Sequence, residues 1–265
     1  MSLEILPRHF VEKPWGQSDV PAAFGAPEGK LGEVWFDRAD APLPLLCKWL
    51  FTSEKLSVQV HPNDEQARAR SLASGKEECW IVTETQGDAR LGIGLTKSLS
   101  HEELRAASLS GEIEDLLDWK PVKPGDWFHI APGTVHAIGA GVRLVEIQQN
   151  ADVTYRLYDY GRPRELHLDD GIAVSNPSVY DGAQGHLSQE PGLHLLFDGP
   201  HFRILQAQGP TDLESLGERP CYIVPVKGAL ATAAGELEPG SVGYGSLAGG
   251  GSVSGDSMLL IAQES

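Results

Sequence analysis

With 265 residues, of which 41% are hydrophobic and 22% charged, the chain is long enough to bury a sizeable core and is neither a disordered nor a disulfide-dependent sequence. Its 37 acidic against 21 basic residues leave a net charge of -16, which opposes any general affinity for nucleic acid or an anionic membrane. Cys47, Cys79 and Cys221 are too widely spaced for a metal or redox motif, the opening "MSLEILPRHFVEKPWG" lacks a secretion-signal pattern, and no run of about 18 apolar residues occurs, so a reducing cytoplasm is the expected location.

Short β-rich runs then follow one another, separated by Gly, Pro, Asn and Asp. "LPLLCKWLF" at 43–51 is one. The next, "KLSVQV", alternates so that Leu56, Val58 and Val60 share one face while Ser57, Gln59 and His61 share the other, before Pro62 ends it. "NDEQARARSLASG" reads as a short helix capped at Asn63 or Asp64. In "GKEECWIV" Lys76, Glu78 and Trp80 point one way and Glu77, Cys79 and Ile81 the other, leading into the strand "ECWIVTET". "SHEELRAASLSGEIEDLLDW" reads as a helix capped at Ser100 with acids in its first turn. After the strand "DWFHIA", "APGTVHAI" presents His136 behind a rigid Pro-Gly turn, and "VRLVEIQ" sets Val142, Leu144, Glu146 and Gln148 on one strand face.

"YDGAQGHLSQEPGL" at 180–193 is polar and turn-rich and reads as a junction; beyond it "HFRILQAQ", "CYIVPVKG" and "SMLLIAQ" are strands. The pattern, with 30 Gly and 18 Pro, predicts a mainly β protein with short helices, a barrel or sandwich, in two modules at 1–182 and 183–265. "LEPGSVGYGSLAGGGSV" at 237–253 shares its Pro-Gly start with "VKPGDWFHIAPGTVHAI" at 122–138 but has no histidine, so the chemistry is assigned to the first module. The Gly-rich "SLAGGGSVSG" reads as a mobile turn between structural strands.

Gln59, His61, Glu78 and His136 together form an N2O2 donor set suited to a borderline divalent ion such as Zn2+, with room left for water or substrate. Singly, each has a plainer reading: His61 as a hydrogen-bonded strand-end histidine, Glu78 as a solvated strand acid. Only the combination points to a metal. His9, His101, His186, His194 and His201 have no supporting neighbours and default to structural or solvated roles, and the pattern does not place His129. Arg156, in "GVRLVEIQQNADVTYRLYDYGR", reads either as a structural ion pair with Asp152 or Asp159 or as a site residue. Trp15, Trp35 and Trp80 either line a pocket or pack in the core.

"KPWG" at 13–16, "LGEVW" at 31–35, "LSVQVHPND", "GKEECW" and "APGTVHAIGAGVRLVEIQQNADVTYRLYDYGR" occur in order, and from about residue 8 to 170 the chain resembles the type I mannose-6-phosphate isomerases in their short bacterial form. The resemblance implies a cupin-type β-barrel (jelly roll) joined to a second, smaller β module. It implies one Zn2+ per chain on Gln59, His61, Glu78 and His136, phosphate contacts from Ser57 and Lys76, a catalytic Arg156 and a proton-carrying Glu146. Gln59 stands where many cupins have a histidine, which argues against an iron dioxygenase. The activity implied is interconversion of mannose 6-phosphate and fructose 6-phosphate through a cis-enediol, with a small sugar phosphate as partner and a monomer or homodimer as the assembly. A non-catalytic sugar-phosphate sensor would lose Glu146 or Arg156, both present; a metal-dependent cupin acting on another sugar is the other alternative. Lys would give the phosphate a point charge and Ser a hydrogen bond, with Lys13, Lys48 and Arg162 as further cations at hand. On this reading the row Ser57, Gln59, His61 faces into the barrel.

Overall fold

The computed structural model describes residues 3–25, 28–38, 40–232, 234–247, 252–253 and 255–265. A seven-stranded antiparallel sheet sits at its centre, ordered Gln184–His186 (β13), Asp126–Ile130 (β9), Glu78–Thr85 (β6), Val142–Gln149 (β11), Leu45–Phe51 (β4), Leu31–Phe36 (β3) and Arg8–Gln17 (β2). A five-stranded sheet covers one of its faces: Tyr155–Tyr158 (β12), Val58–Val60 (β5), His136–Ile138 (β10), Arg90–Leu95 (β7) and Leu117–Pro121 (β8). A six-stranded sheet covers the other: Glu4–Ile5 (β1), Gly243–Gly245 (β20), Cys221–Lys227 (β17), Met258–Glu264 (β22), Phe202–Gln208 (β15) and Gly192–Asp198 (β14). Two small ribbons complete the β structure, Thr211–Asp212 (β16) with Ser252–Val253 (β21), and Leu230–Thr232 (β18) with Gly235–Leu237 (β19).

Strand alternation explains the layering. In the central sheet Trp80, Val82, Val142 and Leu144 pack against Leu91, Ile93 and Ile138 of the five-stranded sheet and form the barrel interior. Their neighbours Cys79, Ile81, Val145 and Ile147 point the opposite way, into a core shared with Phe202, Ile204, Tyr222, Val224 and Leu260 of the six-stranded sheet. A strand covered on both sides is buried on both sides, and all eight residues of β11 are buried, the polar Glu146 and Gln148 included. The short helix Asp64–Arg68 (α1) follows β5. Val58, Val60, Ala137 and Leu157 on the outside of the five-stranded sheet pack under the helices His101–Ser110 (α2), Ile113–Leu116 (α3) and Leu168–Val174 (α4). The fold is thus mainly β with short helices, as the strand rhythm predicts. The three cysteines are free and buried, and no helix among the described residues is long and apolar enough to cross a membrane.

Both helix starts are capping boxes: Asn63 with Gln66, and Ser100 with Glu103. The long helix expected after Ser100 stops sooner, because Gly111 turns left-handed at φ 86° and ends α2; one short helix later the chain is already strand β8. Leu56 also departs from its expected face. It precedes the regular part of β5 and packs in the barrel interior, whereas Val58 and Val60 face the helices. The two Pro-Gly turns are alike in conformation, with Gly125 at φ 94° and Gly240 at φ 88°. Residues 248–251 and 254 of the stretch read as a mobile turn lie outside the described residues.

Two strands cross between the halves of the chain. β1, at the N-terminus, pairs with β20 in the six-stranded sheet, and β13, from the polar stretch 180–193, pairs with β9 in the central one. The hydroxyl of Tyr222 on β17 also accepts a 3.0 Å hydrogen bond from the Leu45 N–H on β4. Phe202, fully buried in the shared core, tests that coupling. Phe202→Ala is expected to cost about 3–5 kcal/mol, and near- and far-ultraviolet circular dichroism should report one shifted unfolding transition. Two separated transitions would contradict a shared core.

Candidate active site

Register places the site residues on the inner face of the barrel. On the five-stranded sheet Gln59 lies opposite His136 on one side and Arg156 on the other, so the three stand abreast. In the central sheet Glu78 lies opposite Gln148, and Trp80 lies opposite Glu146, which in turn lies opposite Lys48. Stacking the sheets brings the two rows face to face.

The acidic member of the cluster, Glu78, has no exposed surface, and His61 and His136 have almost none. His61 Nε2 is 3.3 Å from Glu78 Oε1, and His136 Nε2 is 4.0 Å from Glu78 Oε2. The Nδ1–H of His136 donates to the Thr134 carbonyl at 2.8 Å, which fixes the tautomer and leaves the Nε2 lone pair aimed at the cluster. Gln59 joins with its Nε2 3.3 Å from that nitrogen, its Oε1 accepting from the Ser57 hydroxyl at 3.2 Å; a half-turn of the carboxamide exchanges the two atoms. The ammonium of Lys76 lies 2.7 Å from Glu78 Oε1 and 3.5 Å from His61 Nε2.

Each titration shift has a local cause. Burial would raise the Glu78 carboxyl, but Lys76 and then His61 outweigh it and hold the group well below the usual carboxylate range. Burial, reinforced by Lys76, pushes His61 down to about 3, and burial also lowers His136. Lys76 resists its own burial because Glu78 and Glu146 favour its charge, so its value is raised. The donors are therefore a carboxylate and two neutral imidazoles. Both Glu78 oxygens and His61 Nδ1 are buried and make no well-formed hydrogen bond among the described residues. The ligand atoms of His61, Glu78 and His136 lie within 4.8 Å of one another. The 3.3 Å between His61 and Glu78 is close to the edge of a tetrahedron with bonds of about 2.0–2.1 Å. By donor type, burial and convergence these residues fit a divalent metal such as zinc.

In front of the cluster is a cavity of about 260 Å³ lined by Ser57, Gln59, Lys76, Glu146 and Arg156 among others. Two larger hollows of about 440 Å³ are lined by none of these residues. Glu146 is held at both oxygens, by Lys48 Nζ at 3.2 Å and by the Trp80 indole N–H at 3.0 Å. Burial and then Glu78 raise its pKa, partly offset by Lys48 and Lys76. Arg156 donates from Nη1 to the Glu165 carbonyl at 2.7 Å, while its buried Nε has no hydrogen-bond partner among the described residues.

The structure thus gathers all eight residues singled out by sequence. The alternative reading of Arg156 is not what forms: Arg162 and Arg164 occupy Asp159 instead. Lys13 and Lys48 reach the cavity, whereas Arg162 lines a neighbouring hollow and donates to the Lys55 carbonyl. Trp15 and Trp35 line the cavity, and Trp80 is buried behind it, its ring T-shaped to that of His136. His9, His101, His186 and His194 bind backbone carbonyls or a surface carboxylate, but His201 meets two carboxylates, Glu77 and Asp64. Sequence reasoning missed Lys48 and Trp80 as holders of Glu146, and missed Glu33, which meets Lys48 at 4.0 Å and Lys13 at 3.6 Å. The only local signal for Lys48 was a cation inside an otherwise apolar strand, "LLCKWLF".

Residues 26–99 match the family model described as "Phosphomannose isomerase type I, catalytic domain". The chain is 46% identical over 154 residues to the mannose-6-phosphate isomerase ManA of Bacillus subtilis (strain 168), covering 55% of this chain and 49% of that protein. It is 40% identical over 148 residues to the mannose-6-phosphate isomerase of Streptococcus mutans, covering 54% and 46%. The chain therefore spans about half the length of the curated relatives it matches. Among solved structures, the mannose 6-phosphate isomerase from Bacillus subtilis superposes with a TM-score of 0.84 at 24% identity, covering 99% of this chain and 100% of that one. A phosphomannose isomerase variant from Salmonella typhimurium superposes at 0.77 and 13% identity over the whole of both chains. The first bears out the cupin-type fold along the full chain, and the family model and the two curated relatives agree with the resemblance read from the motifs over the part they match.

Removing one imidazole should disable the cluster with little effect elsewhere. His61→Ala is expected to weaken zinc binding beyond the roughly 10–100-fold that losing a partner behind a ligand costs, measured by chelator competition alongside circular dichroism. A folded variant with unchanged affinity would overturn the ligand assignment.

Proposed function

We propose that this chain, a relative of the type I phosphomannose isomerases, is a zinc-dependent mannose-6-phosphate isomerase that moves a proton between C1 and C2 of the sugar through a cis-enediol. The observation that carries this reading is the convergence of His61, Glu78 and His136 directly behind the cavity wall that Gln59, Lys76, Glu146 and Arg156 form. His61, Glu78 and His136, with Gln59 completing the set, would hold the zinc, which would supply Lewis acidity toward the sugar's oxygens.

The chain's own residues divide the remaining work. Glu146 takes the proton from C2 of the aldose and returns it to C1, reversing the order for the ketose. Its raised pKa brings it closer to neutral pH than an ordinary carboxylate, so it serves as base and then as acid; Lys48 and Trp80 keep its oxygens fixed meanwhile. Arg156 has a buried, unsatisfied N–H at the cavity wall, suited to an oxyanion of the opened sugar. Lys76 and Ser57 offer a charge and a hydroxyl to the phosphate.

We assign this chemistry to residues 1–182 and a supporting role to 183–265, with β1 and β13 as the crossing strands. The acidic net charge and the three free, buried cysteines support a cytoplasmic location.

Purified protein should convert mannose 6-phosphate to fructose 6-phosphate, lose that activity to a chelator and regain it with zinc. Absence of turnover by zinc-loaded protein would overturn the substrate assignment. Glu146→Gln is expected to lower kcat by about 10²–10⁴-fold. A base with a raised pKa is active above that pKa, so kcat/KM should fall with decreasing pH through a limb above the ordinary carboxylate range. Lys48 lowers the Glu146 pKa, hence Lys48→Met should move the limb to higher pH; an unmoved limb would assign it to another group.

A further inference from the structure

Glu77 is another buried carboxylate, 2% exposed, and the proposed mechanism does not use it. Alternation explains its place: Lys76 and Glu78 face the barrel, so Glu77 between them faces the seam with the C-terminal sheet. Its Oε1 meets His129 Nε2 at 2.7 Å, and its Oε2 is bonded to Nδ1 of His201, which directly precedes β15. His201 Nε2 lies 3.3 Å from Asp64 Oδ2, and the His129 ring stacks on Phe197 of β14 at 4.0 Å. Two of these partners, His201 and Phe197, come from the second module.

The segment that Glu77 belongs to lacks a sheet of its own. β6 begins only at Glu78, and residues 75–77 are held by a few separate bonds: Gly75 N–H to Asp64 Oδ1 at 2.8 Å, Lys76 N–H to the Pro62 carbonyl at 3.0 Å, and Glu77 by two bonds to Gln149, its N–H to Oε1 at 2.9 Å and its carbonyl from the Gln149 N–H at 3.0 Å. Gln149 closes the ring by donating to Asp64 at 3.1 Å. A carboxylate placed here without partners would be strongly unfavourable, whereas one clamped by histidines from both modules fixes the backbone it hangs from.

We infer that Glu77 is a positioning residue: clamped between His129 and His201, it fixes from behind the segment that carries Lys76 and Glu78 into the site, so that the C-terminal module tunes metal affinity. The second half rests on the zinc reading above; the first does not. For the first half, amide hydrogen exchange is measured on the full-length, metal-free chain. His201→Ala should speed exchange at Gly75, Lys76 and Glu77 by about tenfold or more. His194→Ala, a change on the same module at a histidine bonded, among the described residues, only to the Glu190 carbonyl, should leave it unchanged. For the second half, chelator competition on the zinc-loaded chain should show about a tenfold weaker affinity in His201→Ala, partly restored in His201→Gln, which keeps a donor for Glu77.

Unchanged exchange in a folded His201→Ala chain overturns the clamp. Faster exchange with unchanged zinc affinity overturns the link to the metal. If His201→Ala does not fold, Glu77→Gln, which keeps the side chain's size, is read by the same two measurements with the same outcomes. A wild-type chain that binds no zinc refutes the metal reading and the tuning together, and the exchange result alone then decides the clamp.

Discussion

A carboxylate with no exposed surface at the heart of a barrel sets the terms for everything around it. Transferring Glu78 out of water costs several kcal/mol unless opposite charge and donors meet it there. The Lys76 ammonium at 2.7 Å meets that requirement. The compensation then propagates, because Glu78 also raises the pKa of Glu146, and the buried Lys48 that offsets this needs an acid of its own in Glu33. Glu33 in turn meets Lys13, whose side chain is 34% exposed. Charges of alternating sign thus run from the dry centre along the cavity to water. A buried charge network of this kind is weak evidence for stability; what sets it apart is what it can bind and do.

The central sheet separates chemistry from cohesion. Along β6 and β11 every second residue faces the barrel and the others face the six-stranded sheet, so Glu78, Glu146 and Gln148 alternate with Cys79, Val145 and Ile147. In a two-layer protein the second set would be the wet face. Here it is the dry one, and the C-terminal strands are what keep it dry. The polar residues face inward because the outward positions are already committed to the shared core, and the strands that carry the site derive their rigidity from packing on the side away from it.

The parts of this arrangement that depend on local rules were legible in the sequence. The alternation of Ser57, Gln59 and His61, the capping boxes at Asn63 and Ser100 and the inward row ending in Glu146 and Gln148 follow from period two and from helix-end hydrogen bonds. What escaped depends on register between segments far apart in sequence. Lys48 becomes a partner of Glu146 only when β4 pairs with β11, and His201 becomes a partner of Glu77 only when the second module docks. Leu56 takes the other face because strict alternation stops short of it, outside the regular part of β5, and the helix after Ser100 is shorter than its sequence predicts because Gly111 reads as tolerable inside a helix until its φ is known. Arg156 sits on a four-residue strand whose Tyr-Arg-Leu-Tyr pattern carries no signal of which cross-strand neighbour it will meet.

The electrostatics of the cavity also resolve the conflict between an acidic chain and an anionic ligand. A net charge of -16 acts on a distant dianion as repulsion, but at physiological ionic strength that field decays over about 8 Å. Inside that distance the balance reverses, since Lys13, Lys48, Lys76, Arg156 and Arg164 line the cavity against Glu33, Glu146 and Asp152. Most of these cations are already engaged with carboxylates, so the cavity gains little from charge alone and more from donors not yet satisfied, of which the buried Nε of Arg156 is the clearest. Recognition of a sugar phosphate by such a site, as proposed, would rest on short-range geometry rather than on long-range attraction.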